Sequence, residues 1–185
     1  MNNFIKKYLS ILFFAIIMLN SQKIYSQQTF GIGAHLGGGT IQGNLPNQGS
    51  FNSSIFIDFN LPFIRGLSSR VSFIYVTDIN VLLPQNPGRY NPYLKGFSLK
   101  EIYSNDLAGN VFFEGGIGPL LLNDRTFDNL NVWDTGVAFS ILGGLDFTDD
   151  NKKGILAGVG TEYGLTFTKT NVQYLSVYLQ FKYQF

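Results

Sequence analysis

From residue 27 to the last phenylalanine, large apolar residues recur at every second position in segment after segment. The closing stretch, YLSVYLQFKYQF, shows the rule most plainly. Leu175, Val177, Leu179, Phe181, Tyr183 and Phe185 share one face of a strand, and Tyr174, Ser176, Tyr178, Gln180, Lys182 and Gln184 share the other. A chain patterned this way builds sheet. No stretch beyond Gln27 sustains a helical stripe, and none approaches the run of about eighteen apolar residues that a membrane-crossing helix needs.

Gly, Asn, Asp and Pro punctuate the alternation and place strands near 30–41, 51–60, 69–78, 96–104, 107–119, 135–147, 154–167 and 172–185. A tilted strand crosses a bilayer with about nine to eleven residues, which each of these supplies. The connections 61–68, 105–106 and 148–153 are short, whereas 42–50, 79–95 and 120–134 are longer and rich in Asn, Pro, Gly and Asp. Short turns at one end and longer loops at the other mark barrels that span a membrane. The turn TKTN at 168–171 departs from that rule, being short at the long-loop end.

The front of the chain has a different pattern. Lys6 and Lys7 precede an apolar core from Tyr8 to Leu19, and the polar tail NSQKIYS leads to Gln27. This is the layout of a secretory signal peptide cleaved after Ser26. Twelve residues of helix reach only about 18 Å, too short for a permanent anchor. The expected organisation is thus a signal peptide at 1–26 and one barrel domain at 27–185.

Removing 1–26 takes three of the 13 basic residues and none of the 12 acidic ones, so the mature chain is weakly acidic. With no basic patch, and with export, nucleic acid is excluded as a partner. The chain has no Cys, which removes disulfides, thiolate metal sites and cysteine chemistry. A secreted chain without disulfides must draw its stability from a core or from a bilayer.

The two faces differ in kind. One collects Ile55, Ile57 and Phe59; Val71, Phe73 and Tyr75; Val111, Phe113 and Ile117; Val137, Phe139, Ile141 and Leu145; and Ile155, Val159, Tyr163 and Leu165. The other collects Asp58, Arg70, Asn110, Glu114, Ser140, Asp146, Glu162, Gln180 and Lys182 among glycines. Charges of both signs beside glycines fit the narrow interior of a small barrel, where Arg70, Glu114, Glu162 and Lys182 are expected to form a polar cluster with both glutamates pairing to Arg70 and Lys182. Aromatics mark the strand ends: Phe30, Phe59, Phe63, Phe147, Tyr183 and Phe185 at one level, and Phe51, Tyr93, Phe97, Trp133, Phe167 and Tyr174 at the other. Such belts suit the membrane interface.

A terminal strand that alternates apolar residues and closes on Phe181, Tyr183 and Phe185 resembles the carboxy-terminal insertion signal of outer-membrane barrels. With the eight strands, the resemblance is to the small outer-membrane β-barrels of OmpA/OmpX type, in the variety common in Bacteroidota. Gln180 stands where that signal usually has glycine. The resemblance implies an all-β fold, an eight-stranded antiparallel up-and-down transmembrane barrel after a cleaved signal peptide. It implies the outer membrane of a Gram-negative bacterium as location, with membrane lipid and the barrel-assembly machinery as partners.

One strand resists. Simple alternation in GFSLKEIYS puts Glu101 outward with Phe97, Leu99 and Tyr103, so a bulge at Lys100 is expected to turn Glu101 inward and Ile102 outward.

Little in the sequence points to catalysis. His35, in GIGAHLGGG, is the sole histidine and brings no serine or carboxylate partner by spacing. The glycines GAHLGGGT lack the Lys-Ser/Thr of a phosphate loop, and Asp124, Asp128 and Asp134 do not follow a calcium-loop spacing. Glu114 and Glu162 invite comparison with a glycosidase pair, yet nothing fixes their separation. The expectation is a non-enzymatic barrel without cofactor or metal, with a structural role or with loops 79–95 and 120–134 offered to an outside partner. The alternatives are a conduit or binding barrel for a small hydrophobic molecule, and a soluble periplasmic lipocalin-like binder whose apolar face turns inward.

Overall fold

The computed structural model describes residues 30–43, 46–61, 64, 66–82, 90–149 and 152–185. The expected signal peptide at 1–26 and Phe63 lie outside these. Eight strands run β1 (Phe30–Gln42), β2 (Gln48–Asn60), β3 (Leu67–Asp78), β4 (Tyr93–Ala108), β5 (Val111–Arg125), β6 (Val132–Thr148), β7 (Gly154–Thr166) and β8 (Gln173–Gln184), with a short 3-10 turn at Ile79–Leu82. Every strand pairs antiparallel with its sequence neighbour, and β8 closes on β1. The fold is a closed eight-stranded up-and-down barrel, which removes all sheet edges.

Following paired residues around the wall gives the stagger. Phe30 pairs with Phe59, then the row runs Ser69, Glu101, Ile117, Phe139, Tyr163 and Leu175, and it returns to β1 at Thr40. The row has climbed ten residues, from 30 to 40, over eight strands. Such a stagger tilts the strands by about 40° and leaves an interior that side chains can fill.

Six strands are longer than the sequence pattern suggests, above all β4 and β6, while β7 and β8 are a residue or two shorter; most of 120–134 is ladder and the connection shrinks to 126–131. The connections at the loop end are 43–47, 79–92, 126–131 and 167–172; those at the opposite, turn end are 61–66, 109–110 and 149–153. Only 79–92 stands out in length. The polar residues read as loop extend the strands because each still finds a ladder partner, as Asn123 does with Trp133 and Asp124 with Val132. The β4–β5 connection is a two-residue turn in which Gly109 adopts φ +58, the left-handed conformation tight hairpins demand.

The apolar face points out. Ile55 is 64% exposed and Val159 57%, and the same face of every strand carries Val, Ile, Leu or Phe. This reverses the lipocalin arrangement, whose apolar face lines the interior. Phe30, Phe59, Phe147, Tyr183 and Phe185 ring the turn end, with Phe30 within 5.5 Å of Phe59 and 5.7 Å of Phe185 between ring centroids. At the loop end, Tyr75 and Tyr93 pair at 5.7 Å beside exposed Trp133 and Phe167. Tyr174 does not join this belt. It is buried in the lumen, where even-numbered residues of β8 point.

The interior is layered. Ile41, Ile74, Val76, Leu94, Leu120, Leu122, Ala138, Val172 and Tyr174 form an apolar plug toward the loop end. Phe112, Leu142, Leu156 and Tyr178 form a second cluster toward the turn end. Glycines make room for the rings: a Cβ on Gly33 would meet the Phe56 ring at 2.4 Å, and one on Gly164 the Tyr174 ring at 2.3 Å. Rings of this size fit a narrow barrel only over a facing residue without a side chain.

Candidate functional site

Between the apolar clusters lies a charged network. Pairing across β2 and β3 sets Asp58 beside Arg70, and pairing across β3 and β4 sets Arg70 beside Lys100. Two cations on adjacent strands repel unless each is drawn to a different acid. Arg70 is. Its Nε donates to Asp58 Oδ1 at 2.6 Å, while its Nη2 donates to Asp58 Oδ2 at 2.7 Å and to Glu114 Oε2 at 2.9 Å. Its Nη1 donates to Gln180 Oε1 at 3.0 Å, and the guanidinium lies 4.2 Å from the centre of the Phe56 ring. Lys182 Nζ binds Glu114 Oε1 at 2.9 Å and Asp58 Oδ2 at 3.3 Å. Lys100 reaches across the lumen to Glu162, whose other oxygen accepts from Tyr174 OH at 2.5 Å.

Three cations thus face three carboxylates, all buried. Charge survives inside a barrel only when paired and hydrogen bonded, and here every carboxylate is engaged by at least one cation. Of the residues the sequence singled out, Arg70, Glu114 and Lys182 meet; Glu162 stands apart from them and pairs with Lys100. The expected pairing of Glu162 with Arg70 or Lys182 is therefore corrected. Asp58 completes the first group.

Lys100 also overturns the expected bulge. The β3–β4 register is unbroken through it, with Arg70 opposite Lys100 and Ser69 opposite Glu101, and the irregularity of β4 falls at Asp106/Ala108. Lys100 and Ile102 face in; Glu101 faces out and accepts from Ser69 Oγ at 2.8 Å. Weighing Glu101 alone favoured the bulge. The straight register wins because it brings Lys100 inside to Glu162, and lysine on a lipid face costs more than glutamate.

His35 is buried. Its Nε2 shares a hydrogen bond with Gln180 Oε1 at 2.8 Å, its ring stacks on Tyr178 at 4.2 Å, and Phe56 lies at 4.7 Å. Beside it is a cavity of about 10 Å³ bordered by Asn52, Ser54, Glu162 and Tyr178, the size of one water. Ser54 pairs with His35 across β1 and β2, but the imidazole is committed to Gln180. This geometry stacks and orients an imidazole. It offers no space for a substrate.

Gln180 explains its own departure from the usual terminal signal: its Oε1 serves both Arg70 and His35, a role glycine would not fill. Phe181, Tyr183 and Phe185 line the outer wall of β8, with Tyr183 and Phe185 edge to face at 4.9 Å. The three loop aspartates are dispersed. Asp124 accepts from the backbone and hydroxyl of Thr126, both at 2.8 Å, and Asp128 is exposed.

Asp134 instead organises the turn 168–171. Its Oδ1 accepts from Thr168 and Lys169 N–H at 3.1 and 3.0 Å and from the Thr168 hydroxyl, and its Oδ2 accepts from Thr170 N–H and hydroxyl at 2.8 and 3.0 Å. Burial alone would raise this carboxyl's pKa; the hydrogen bonds from Thr168 and Thr170 outweigh it and hold the group well below the usual carboxylate range. Nothing in the sequence marked this role, since thirty-four residues separate Asp134 from Thr168.

No protein-family model matches this chain, and no curated protein does. Solved structures do. Neisserial surface protein A aligns with a TM-score of 0.63 at 16% identity, over 84% of this chain and 97% of that one. Ail, the attachment invasion locus protein of Yersinia pestis, aligns with a TM-score of 0.51 at 10% identity, over 85% and 99%. The fold is that of the small eight-stranded outer-membrane barrels of OmpA/OmpX type.

Proposed function

We propose that this chain is a non-enzymatic integral protein of a Gram-negative outer membrane, exported by residues 1–26, with a structural role in the envelope or loops that engage an outside partner. The observation that carries this reading is the inversion of the barrel: an apolar outer wall around a tightly filled interior whose central network pairs three cations with three carboxylates. Water would leave that wall unpaired with anything, whereas a bilayer is its natural solvent. The aromatic belts at both rims support the same orientation, with the loop end outward and the turn end, where β1 begins and β8 finishes, toward the periplasm.

Loop 79–92 is the main candidate for outside contact. Asp78 N–H bonds Pro92 O at 3.0 Å across its base, and Tyr90 OH ties it to Arg125 O at 2.7 Å. These bonds fix the described base of the loop at the rim of the barrel. Phe181, Tyr183 and Phe185 then serve as the strand by which the assembly machinery receives the barrel.

Fractionation and gel mobility test the reading. The chain should sediment with outer membranes, and the extracted protein should migrate differently before and after boiling. A detergent-free soluble monomer would overturn it.

A further inference from the structure

We propose that Glu101 and its surroundings form a lateral site on the barrel's outer wall for the primary ammonium headgroup of a periplasmic-leaflet phospholipid. The proposal rests on the membrane reading above. The outer face of β3 to β5 is apolar, with Val71, Phe73, Phe97, Leu99, Val111, Phe113 and Ile117 all exposed. Into this face the unbroken register sets one carboxylate. Glu101 Oε1 accepts from Ser69 Oγ, and among the described residues no cation pairs with it and Oε2 has no hydrogen-bond partner. An ionisable side chain on a lipid-facing wall is costly unless something meets it.

Its height says what. Along the staggered row Glu101 is the third step from Phe30, so it lies roughly 10 Å above the turn-end rim. Tyr103, two residues nearer the rim on the same face and 53% exposed, stands between Glu101 and the aromatic belt at Phe30 and Phe59. The carboxylate therefore lies inside the hydrocarbon, roughly 10 Å above the Phe30 belt, where a headgroup reaches it only by dipping past Tyr103. Next to it Tyr103 pairs with Gly115, where a Cβ would meet nothing nearer than Phe113 at 3.8 Å. That notch lets the headgroup approach the wall, and the Tyr103 ring offers its face to a cation. A second copy of this chain is the poorer occupant. The wall at this depth carries Phe, Leu, Ile and Val and offers no described cation to answer Glu101.

Ethanolamine and choline phospholipids separate the cases, because both are zwitterionic but only the first carries N–H donors. The full chain, extracted in mild detergent and verified as a heat-modifiable barrel, is titrated by native mass spectrometry with dioleoylphosphatidylethanolamine and dioleoylphosphatidylcholine. The wild type should bind the first ethanolamine lipid about tenfold more tightly, the scale of one charge-assisted hydrogen bond. Glu101→Leu should remain a heat-modifiable barrel, its outer face now wholly apolar, and lose that preference; Ser69→Ala should weaken it. Equal binding of the two lipids to the wild type, a preference unchanged in Glu101→Leu, or a protein that co-extracts one to one through Glu101 would overturn this site alone. A chain that is soluble and not heat-modifiable would overturn the membrane reading along with it.

Discussion

Arg70 is held at once by Asp58, Glu114, Gln180 and the face of Phe56, so its removal does more than delete one ion pair. In Arg70→Met, Asp58 and Glu114 would share Lys182 alone, leaving one buried negative charge uncompensated. The expected loss is about 3–5 kcal/mol, read as a lower urea midpoint for the barrel refolded into lipid vesicles. Membrane insertion should be unaffected, because the outer wall and β8 are unchanged. Pairing the change with Glu114→Gln restores the charge balance and should recover part of the loss. An unchanged midpoint in Arg70→Met would show that the guanidinium is not the centre of the network. Alternation was enough to predict that Arg70, Glu114, Glu162 and Lys182 share the inner face. The pairing of Glu114 with Arg70 and Lys182 was legible too, but the partner of Glu162 was not, because Lys100 and Glu162 sit on strands that never pair and meet only across the lumen, a distance sequence spacing does not encode.

At the scale of elements, strand existence and direction followed from period two, while ends and register depended on contacts between strands. β5 and β6 outrun their apolar pattern because their polar tips complete each other's ladders. β4 keeps its register through Lys100 because an interior partner outweighs an exterior penalty. The turn joining β7 and β8 shows the same dependence: it is short, and Asn171 adopts φ +50, yet a carboxylate from β6 gathers its N–H groups. Asp134 has a native pKa below its unfolded value, so its contribution is fully present above about pH 4, the ordinary carboxylate value, and is lost as pH falls toward the native one. Asp134→Asn should therefore cost about 1–3 kcal/mol at neutral pH and less in acid. Hydrogen exchange of the Thr168, Lys169 and Thr170 amides checks this: protection should drop in the variant at pH 7, and the gap between variant and wild type should narrow at pH 3. Equal protection at both pH values would remove Asp134 from the turn's support.

For the whole molecule, the stagger of ten residues over eight strands sets an interior that its own side chains close. From the turn end an ion would meet Phe112 and Leu156, then the paired charges around Arg70, then Leu94, Leu122, Val172 and Tyr174. The charged layer alone would not stop it, since fixed charges of both signs can hand an ion along. The apolar plug does, because its packed side chains leave no room for a hydrated ion to pass. A conduit for a small apolar molecule meets the opposite obstacle, the charged layer, so the plug and the network stand in the way of both classes of solute. In planar bilayers the wild type should give no resolved single-channel conductance. Tyr174→Ala takes the largest side chain out of the plug and releases one oxygen of Glu162 from its hydrogen bond. It should therefore raise ion leak measurably while the barrel remains heat-modifiable. A steady conductance from the wild type would mean that the plug opens in the membrane, and the conduit reading would then replace that of a closed scaffold.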